Sequence, residues 1–436
     1  MIFFIEEQEV EGLNNLAHLN PYLSKEASVY PNHQPAADQL HHQLGKPKAL
    51  AFLALFVIAF SSACNEAKRL PYHAGYELKK SQSEIQSTYS KKFKPLRTSF
   101  FKLAPDLDKQ KPLAVADYGG WVESSGVLLG SFDQDWLTGL ALPGLTPKWW
   151  SESPGAQTCP PVSFGNWVVF GFRNGSIWKV DALTGKRVWE QKLDSFPTRR
   201  IKKVNNQLLV VTASQSIYAI NSESGSVNWV YDSNAGEGLT IRTLSAPTVH
   251  QDRVYYGISS GEVVALNLKT GDHIWTHNPG FSEARFHDVV GEIYIINNGK
   301  ALLITRYDGI MTALDVDNPK QSVWDKPIKL SSITDSSFRH NTIYVGTHNG
   351  YIYAYNPSNR QQLWKNHIGV SVSSITAGET KLYVSSTQGR IAALDISKGE
   401  LLWYDQLEGL VTGSPIYIGD NIFFQTGLQN FYGYSF

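Results

Sequence analysis

Residues 393–403 read ALDISKGELLW, and most of the chain repeats the pattern of this stretch. An Asp or Asn is followed four residues later by Gly and eight residues later by Trp. A short polar side chain can accept backbone N–H groups of the next turn, glycine supplies a left-handed backbone, and a flat indole packs well between sheets. The pattern therefore predicts a turn and then a strand that ends at tryptophan. The other clear copies are KVDALTGKRVW (179–189), AINSESGSVNW (219–229) and ALNLKTGDHIW (265–275).

A second turn lies upstream of this pattern in most units. In the unit that ends at Trp364, the runs TIYVG and YIYAY flank the sequence around Asn349-Gly350. Asn-Gly between β-branched or aromatic runs is a strong hairpin signal, so each unit holds at least three short strands and fits a four-stranded sheet. The tryptophans that close the units lie 39 to 49 residues apart: Trp149 or Trp150, Trp189, Trp229, Trp275, Trp324, Trp364 and Trp403.

Repeats of this length form arrays of small structural units. We therefore predict an all-β fold, a β-propeller with eight four-stranded blades, and keep seven blades as the alternative. The eighth unit is incomplete, because strand-like runs continue after Trp403 without a closing tryptophan. Propellers often close with a strand from the other terminus, which removes exposed sheet edges, and Arg97–Leu103 is the predicted closing strand. Three units deviate: the first is the most degenerate, the fifth lacks the glycine and has one extra residue before Trp324, and the sixth has Arg360 in place of the glycine.

The composition argues against two kinds of site. The 436 residues carry 39 Lys and Arg against 39 Asp and Glu, so the net charge is zero. A nucleic-acid partner is not expected, because phosphate binding needs a concentrated basic face. The chain has neither a CxxC nor an HExxH motif, so no metal site is predicted. The two cysteines are Cys64 and Cys159, and a disulfide between them is possible on counting alone. If Cys159 is free, we predict that it is a small buried residue.

The N-terminal region predicts targeting to a membrane. Ala49–Phe60 is an uncharged apolar run behind two lysines, and it is shorter than the ~20 residues of a transmembrane helix. A basic start, a short apolar core and a small-residue exit describe a secretory signal. The small residues 61–63 before Cys64 resemble a bacterial lipobox, which implies cleavage before Cys64 and lipidation of this residue. The alternatives are an ordinary signal peptide that leaves Cys64 as a thiol, and a buried core helix.

The chain is accordingly divided into three segments. Residues 1–63 are interpreted as an over-extended start plus a lipoprotein signal peptide. Residues 64–95 are polar and Lys-rich and are predicted to be a flexible tether, and residues 96–436 are predicted to form the propeller. Several acyl chains anchor a protein stably, whereas one gives marginal binding. In the sorting rule that accompanies the lipobox resemblance, Asn65 permits transfer to the outer membrane.

The repeat resembles that of pyrroloquinoline-quinone propellers over about residues 120–436. A fold alone does not define chemistry. The resemblance includes quinoprotein dehydrogenases, which need a calcium site of Glu, Asn and Asp, a catalytic Asp and, in many members, two adjacent cysteines. Calcium takes about six to eight oxygen ligands, whereas turns account for the recurrent Asp and Asn here, and Cys159 has no adjacent cysteine. We therefore expect no enzyme activity and no cofactor.

One stretch resembles a more specific family, the BamB-like propeller lipoproteins of the outer-membrane β-barrel assembly machinery. Residues 239–248, LTIRTLSAPT, are similar to a segment between the third and fourth blades of those lipoproteins. The resemblance implies that Leu239, Ile241 and Arg242 dock on the periplasmic POTRA domains of the barrel protein of that machinery. The alternative is that Leu239 and Ile241 belong to the inner strand of the fourth blade and point into the core.

A second contact of that family is an Asp-x-Asp in the next loop between blades. Residues 285–290, RFHDVV, keep the first Asp as Asp288 and have Val290 for the second. The resemblance thus implies a non-catalytic scaffold on the periplasmic face of the outer membrane that assists the assembly and insertion of β-barrel proteins. Its partners would be the POTRA domains, unfolded barrel clients that pair with a sheet edge, and the membrane. The alternative is a generic periplasmic propeller that acts as a scaffold or binds a ligand.

Overall fold

The computed structural model describes residues 96–102, 119–132, 136–142, 144–233, 245–280, 284–418, 421–427 and 430–435. These residues form thirty-two β-strands and one 3-10 turn, Asn297–Gly299. The strands assemble into eight antiparallel four-stranded sheets arranged as a β-propeller, so the predicted fold class and the count of eight blades are confirmed. In this part of the chain, no helix has the length and hydropathy needed to cross a membrane.

Each blade contains four strands, ordered from the innermost to the outermost. Blades 1 to 4 consist of β2 (Val122–Ser124), β3 (Val127–Phe132), β4 (Trp136–Ala141) and β5 (Thr146–Glu152); β6 (Val162–Phe164), β7 (Trp167–Gly171), β8 (Ser176–Asp181) and β9 (Arg187–Lys192); β10 (Lys202–Val204), β11 (Gln207–Val211), β12 (Ile217–Asn221) and β13 (Val227–Tyr231); and β14 (Thr248–His250), β15 (Arg253–Gly257), β16 (Val263–Asn267) and β17 (His273–His277). Blades 5 to 8 consist of β18 (Tyr294–Ile296), β19 (Ala301–Thr305), β20 (Ile310–Asp315) and β21 (Ile328–Lys329); β22 (Ile333–Arg339), β23 (Thr342–Thr347), β24 (Tyr351–Asn356) and β25 (Gln361–His367); β26 (Ser374–Ala377), β27 (Lys381–Ser385), β28 (Arg390–Asp395) and β29 (Leu401–Gln406); and β30 (Val411–Ile418), β31 (Asn421–Thr426), β32 (Asn430–Ser435) and β1 (Leu96–Lys102).

The ring closes through blade 8, whose outermost strand comes from the N-terminal side. β1 pairs antiparallel with β32, from Leu96 opposite Ser435 to Lys102 opposite Asn430. The predicted closing strand is thus confirmed, one residue earlier than expected. On the other side, the Trp121 indole ahead of blade 1 donates to Gln425 Oε1 of blade 8 over 2.7 Å. This buried hydrogen bond ties the first blade to the last.

The repeated Asp or Asn caps the turn between the third and fourth strands, as the sequence predicts. In blade 7, Asp395 Oδ1 accepts the backbone N–H groups of Ser397 and Lys398, each over 2.9 Å. Gly399 follows with a φ of +72°, where a side chain is unfavourable. Arg360, which replaces the glycine in blade 6, adopts the same left-handed conformation with a φ of +61°.

In five blades, the repeated tryptophan joins the blade to the next one. Trp364 of blade 6 donates its indole N–H to the carbonyl of Ile396 in blade 7 over 3.1 Å, and its ring lies against Gly399. The acceptor is the residue after the capping Asp or Asn of the next blade, which explains why the pattern has a fixed spacing. The same bond occurs in four other pairs: Trp149 with Ala182, Trp189 with Ser222, Trp229 with Leu268, and Trp324 with Pro357.

The connections between blades all emerge on one face. Because the four strands of a blade alternate in direction, the connection to the next blade lies on the same face as the turn between the second and third strands. Two connections are much longer than the others, and both adjoin blade 4. The connections that follow blades 1 to 7 are 153–161, 193–201, 232–247, 278–293, 330–332, 368–373 and 407–410.

Candidate docking surface

The two longest connections, 232–247 and 278–293, lie side by side at their C-terminal ends. The backbone N–H of Ala246 donates to the carbonyl of Gly291 over 3.2 Å, and Ala246 forms a parallel bridge with Glu292. The Thr248 hydroxyl donates to the carbonyl of Ile293 over 2.7 Å. The connections that carry the two predicted contacts, 239–242 and Asp288, therefore adjoin at residues 246–248 and 291–293. They lie on the face that carries all connections.

The three predicted docking residues of the first connection are Leu239, Ile241 and Arg242. They lie in 234–244, outside the described residues. The predicted lipidation site Cys64 also lies outside the described residues. The innermost strand of blade 4 is β14, which begins at Thr248 and pairs with β15. Because residues 239–241 lie outside the described ones, the alternative assignment of Leu239 and Ile241 to the inner strand also stays a prediction. Their role in docking stays a prediction.

Asp288, the predicted contact of the second connection, has a different environment from the one expected. Its side chain is fully buried, and its carbonyl accepts the backbone N–H of Tyr307 over 2.9 Å. Val289 and Val290 after it are also fully buried and pack into the two hydrophobic clusters on either side. A carboxylate buried in this way does not reach a docked protein. A contact role for Asp288 remains a prediction that would require the connection to rearrange.

The side chains at the surface of the second connection include an arginine and an aromatic ring, and a second ring lies beside them. Arg285 is exposed, and Phe286 and Tyr307 are half-buried. The two rings lie 6.2 Å apart, edge to face, and the Arg285 guanidinium lies 5.9 Å from the centre of the Phe286 ring. Aromatic residues and Arg are the residue types that dominate protein–protein interfaces. We call connections 232–247 and 278–293, together with Tyr307, the connection surface.

Sequence reasoning missed these three residues for different reasons. Arg285 and Phe286 stand next to Asp288 in the sequence, but attention to the acidic residue left them out. Tyr307 gives no local signal, because it belongs to the turn between β19 and β20. Only the fold brings its ring to the ring of Phe286.

A cavity of about 350 Å³ near the propeller axis is the other candidate site. Polar side chains in its wall include Glu123, Arg200, Thr376 and Ser414. Nearby on the innermost strand of blade 6, burial raises the pKa of the Asp335 carboxyl above its usual value, although Arg199 and the backbone N–H of Ile375 act in the opposite direction. Apolar side chains, among them Trp121, Ile416 and Ile418, also line the cavity, so its wall is mixed in character.

Two observations bear on the donors that a calcium–quinone centre needs. In the described part of the chain, no group of three His, Cys, Asp or Glu side chains converges as metal ligands. Cys159 is a fully buried free thiol, as predicted, and Gly171 and Pro197 are among its neighbours. The chain therefore lacks the pair of adjacent cysteines that many quinoprotein dehydrogenases carry.

Comparison with known proteins points to a family of assembly factors. A family model described as "Outer membrane protein assembly factor BamB" matches residues 145–366 and 348–436. A protein of that name from Legionella pneumophila (strain Paris) is 32% identical over 196 residues, which are 43% of this chain and 50% of that protein. Its counterpart from Yersinia pestis is 28% identical over 334 residues, 68% of this chain and 81% of that protein. The chain thus matches half the length of the first relative and most of the second.

Solved structures agree on the fold. BamB from Moraxella catarrhalis superposes with a TM-score of 0.65 at 18% identity, over 79% of this chain and 100% of that one. A europium-containing methanol dehydrogenase superposes with a TM-score of 0.61 at 12% identity, over 82% and 94%. Identities this low report a shared propeller and do not distinguish a scaffold from an enzyme.

Proposed function

Since the chain belongs to the BamB family of outer membrane protein assembly factors, we propose that it assists the assembly and insertion of β-barrel proteins into the outer membrane as a non-catalytic scaffold. The observation that carries this proposal is the hydrogen bond between Ala246 and Gly291, which roots the two longest connections side by side. A surface built from two adjoining connections suits a partner that docks on one face of the ring. The outermost strands of the blades supply edges on which an unfolded client can add a strand.

The proposed partner of the connection surface is the set of POTRA domains of the barrel protein. Leu239 and Ile241 would supply apolar anchors, and Arg242 would supply a charged group that fixes the orientation. Small interfaces concentrate their binding energy in such residues. The aromatic pair of Phe286 and Tyr307, at 6.2 Å, would extend the same contact.

The proposed membrane attachment is a lipid on Cys64, which would hold the propeller at the periplasmic face of the outer membrane. Residues 65–95 would then link the anchor to β1. A chain of that length spans on the order of 100 Å when fully extended, enough to let the connection surface face a neighbouring complex. Cys64→Ala is expected to release the protein from membranes and to abolish incorporation of labelled palmitate. Retention of both properties would contradict the anchor.

A capture experiment with charge-reversal variants tests the docking proposal. The tagged full chain is incubated with the purified POTRA domains of the same organism's barrel protein. Arg242→Glu should lose the POTRA domains, because a reversed charge in an interface costs about 2–5 kcal/mol. The matched control is Lys186→Glu in the turn between β8 and β9, an exposed residue on the opposite face, and it should retain them.

The outcomes separate the function from the interface. If neither the wild type nor any variant captures the POTRA domains, the proposed function is wrong and a generic periplasmic scaffold is favoured. If the wild type, Arg242→Glu and Lys186→Glu all capture them equally, the docking face is wrong while the function stands.

A further inference from the structure

Blade 5 contains a buried arginine with an unusual set of partners. The Arg306 side chain is 1% exposed. Its Nη1 donates to the Gly280 carbonyl over 2.6 Å and to Asn278 Oδ1 over 3.2 Å. Its Nε donates to Asp308 Oδ1 over 3.2 Å, its Nη2 also pairs with Asp308, and Nη2 lies 3.3 Å from His287 Nδ1. The guanidinium therefore bonds to the beginning and the middle of the long connection 278–293 and to the adjacent turn.

The repeat shows that the turn itself does not need this arginine. Arg306 stands at the start of the turn between the second and third strands of its blade, and its carbonyl accepts the backbone N–H of Gly309 over 3.0 Å. In the other described turns of this kind, the carbonyl at the same position accepts the N–H of the residue three positions later. Blades 2, 3, 4, 6 and 7 satisfy that geometry with apolar or hydroxyl side chains. Those residues are Phe172, Thr212, Ile258, Thr347 and Ser386. A charge buried at this position is costly unless it is fully paired, so its presence in blade 5 needs an explanation beyond the turn.

The explanation lies in what surrounds the connection. Asn278 and Gly280 come before residues 281–283, which lie outside the described residues, and His287 comes after them. The same four-residue turn, 306–309, also donates from the Tyr307 N–H to the Asp288 carbonyl. The Tyr307 ring contacts Phe286. Both described arms of the connection are thus fastened to one turn, and the arginine is the group that bridges them.

We propose that Arg306 is a positioning residue that holds connection 278–293 in the form that a partner recognises. This inference rests on the proposed docking function and goes further, because it assigns the shape of the docking surface to a residue that never touches the partner. A loop that is ordered before binding loses less entropy on binding, which raises affinity without a new contact. Arg306 therefore acts through Phe286 and its neighbours.

The test replaces Arg306 and Asp308 with residues that other blades carry at the same positions. Arg306→Ile combined with Asp308→Asn removes both charges together. It introduces the residue types found at Ile258 in blade 4 and at Asn349 in blade 6. The matched control is Arg390→Met in blade 7, where another buried arginine, 2% exposed, donates to the Ile368 carbonyl over 3.1 Å. Arg390 adjoins the short connection 368–373. Each full-length variant is measured for its thermal unfolding midpoint, its amide hydrogen exchange and its affinity for the purified POTRA domains.

The double variant should remain folded, with exchange faster by about tenfold or more at residues 284–288 and unchanged in the other blades. Its affinity for the POTRA domains should fall by about tenfold, measured at a temperature where it is fully folded. Arg390→Met should lower the unfolding midpoint without changing that affinity. A merely structural arginine would behave like the control.

Three results would overturn the inference. Unchanged exchange at 284–288 would show that Arg306 does not order the connection. Faster exchange with undiminished POTRA affinity would show that the order does not serve docking, while the proposed function would survive. An equal loss of affinity in Arg390→Met would reduce the effect to general destabilisation. If wild-type protein itself fails to bind the POTRA domains, the proposed function fails, and the exchange data still report whether Arg306 orders the connection.

Discussion

Replacing Gly399 with alanine tests the contact that joins neighbouring blades. Gly399 has a φ of +72°, and a Cβ on it would lie 2.4 Å from Cε3 of Trp364. The substitution therefore has two costs, one from the left-handed backbone and one from the indole. An L-residue in the left-handed conformation costs about 1–2 kcal/mol. Forcing a carbon into a packed contact adds about 1–3 kcal/mol.

A second glycine isolates the first of these costs. Gly126, in the turn between β2 and β3, has a φ of +74°, and a Cβ there would have nothing within 4 Å. We therefore expect Gly126→Ala to lower the free energy of unfolding by about 1–2 kcal/mol. Gly399→Ala should lower it by about 2–5 kcal/mol, the sum of the two costs. The difference between the variants measures the contact with the indole.

The assay is equilibrium unfolding in urea followed by far-ultraviolet circular dichroism. The slope of the transition must be unchanged between variants for the free energies to be compared. Trp364→Leu provides a further check, because in that background the extra cost of Gly399→Ala should shrink. Equal destabilisation by Gly126→Ala and Gly399→Ala would refute the idea that the repeat spacing is set by the fit of tryptophan on glycine.

Two further predictions concern buried groups. Burial raises the pKa of the Cys159 thiol to about 12 from its ordinary value of 9.0. In a Cys64→Ala variant, where Cys159 is the remaining cysteine, the native protein should therefore not react with a thiol-specific reagent at pH 8, whereas the urea-unfolded protein should react fully. Reaction of native Cys159 at the rate of the unfolded protein would contradict its burial. Because the pKa of this thiol is higher in the folded state, the thiol leaves the stability unchanged below pH 9 and lowers it as the pH rises from 9 towards 12. Gln425→Ala should lower the free energy of unfolding by about 1–3 kcal/mol, because it leaves the buried Trp121 indole, now bonded over 2.7 Å, without its acceptor; a urea midpoint equal to that of the wild type would show that the bond does not help to close the ring.

The sequence was sufficient for the architecture because the contact that orders the blades is local in its pattern. An indole and the turn it meets stand at a constant distance along the chain, as for Trp364 and Ile396, so the period shows the geometry. Blade 5 marks the limit of this reasoning. It lacks the glycine of the pattern. The Val316 carbonyl, which the pattern predicts as the acceptor for the Trp275 indole, instead accepts from Arg253 over 3.0 Å. The absent glycine is visible in the sequence, whereas the identity of the side chain that bonds to this carbonyl is not.

The candidate site was harder to predict, because it depends on how blade 5 departs from the repeat. The sequence pointed to Asp288 as an exposed acidic contact, yet the two valines after it are apolar enough to enter the core, and they draw the carboxylate inside with them. Periodicity describes what blades share, whereas a binding surface on a ring of similar blades must come from what one blade does differently. Arg306 is such a difference, since the other blades fill its position with uncharged side chains such as Ile258 and Thr347. The same comparison between repeats can be made from the sequence alone. A lone charged residue at a position that other repeats fill with uncharged side chains is then a reason to look for the connection that it holds.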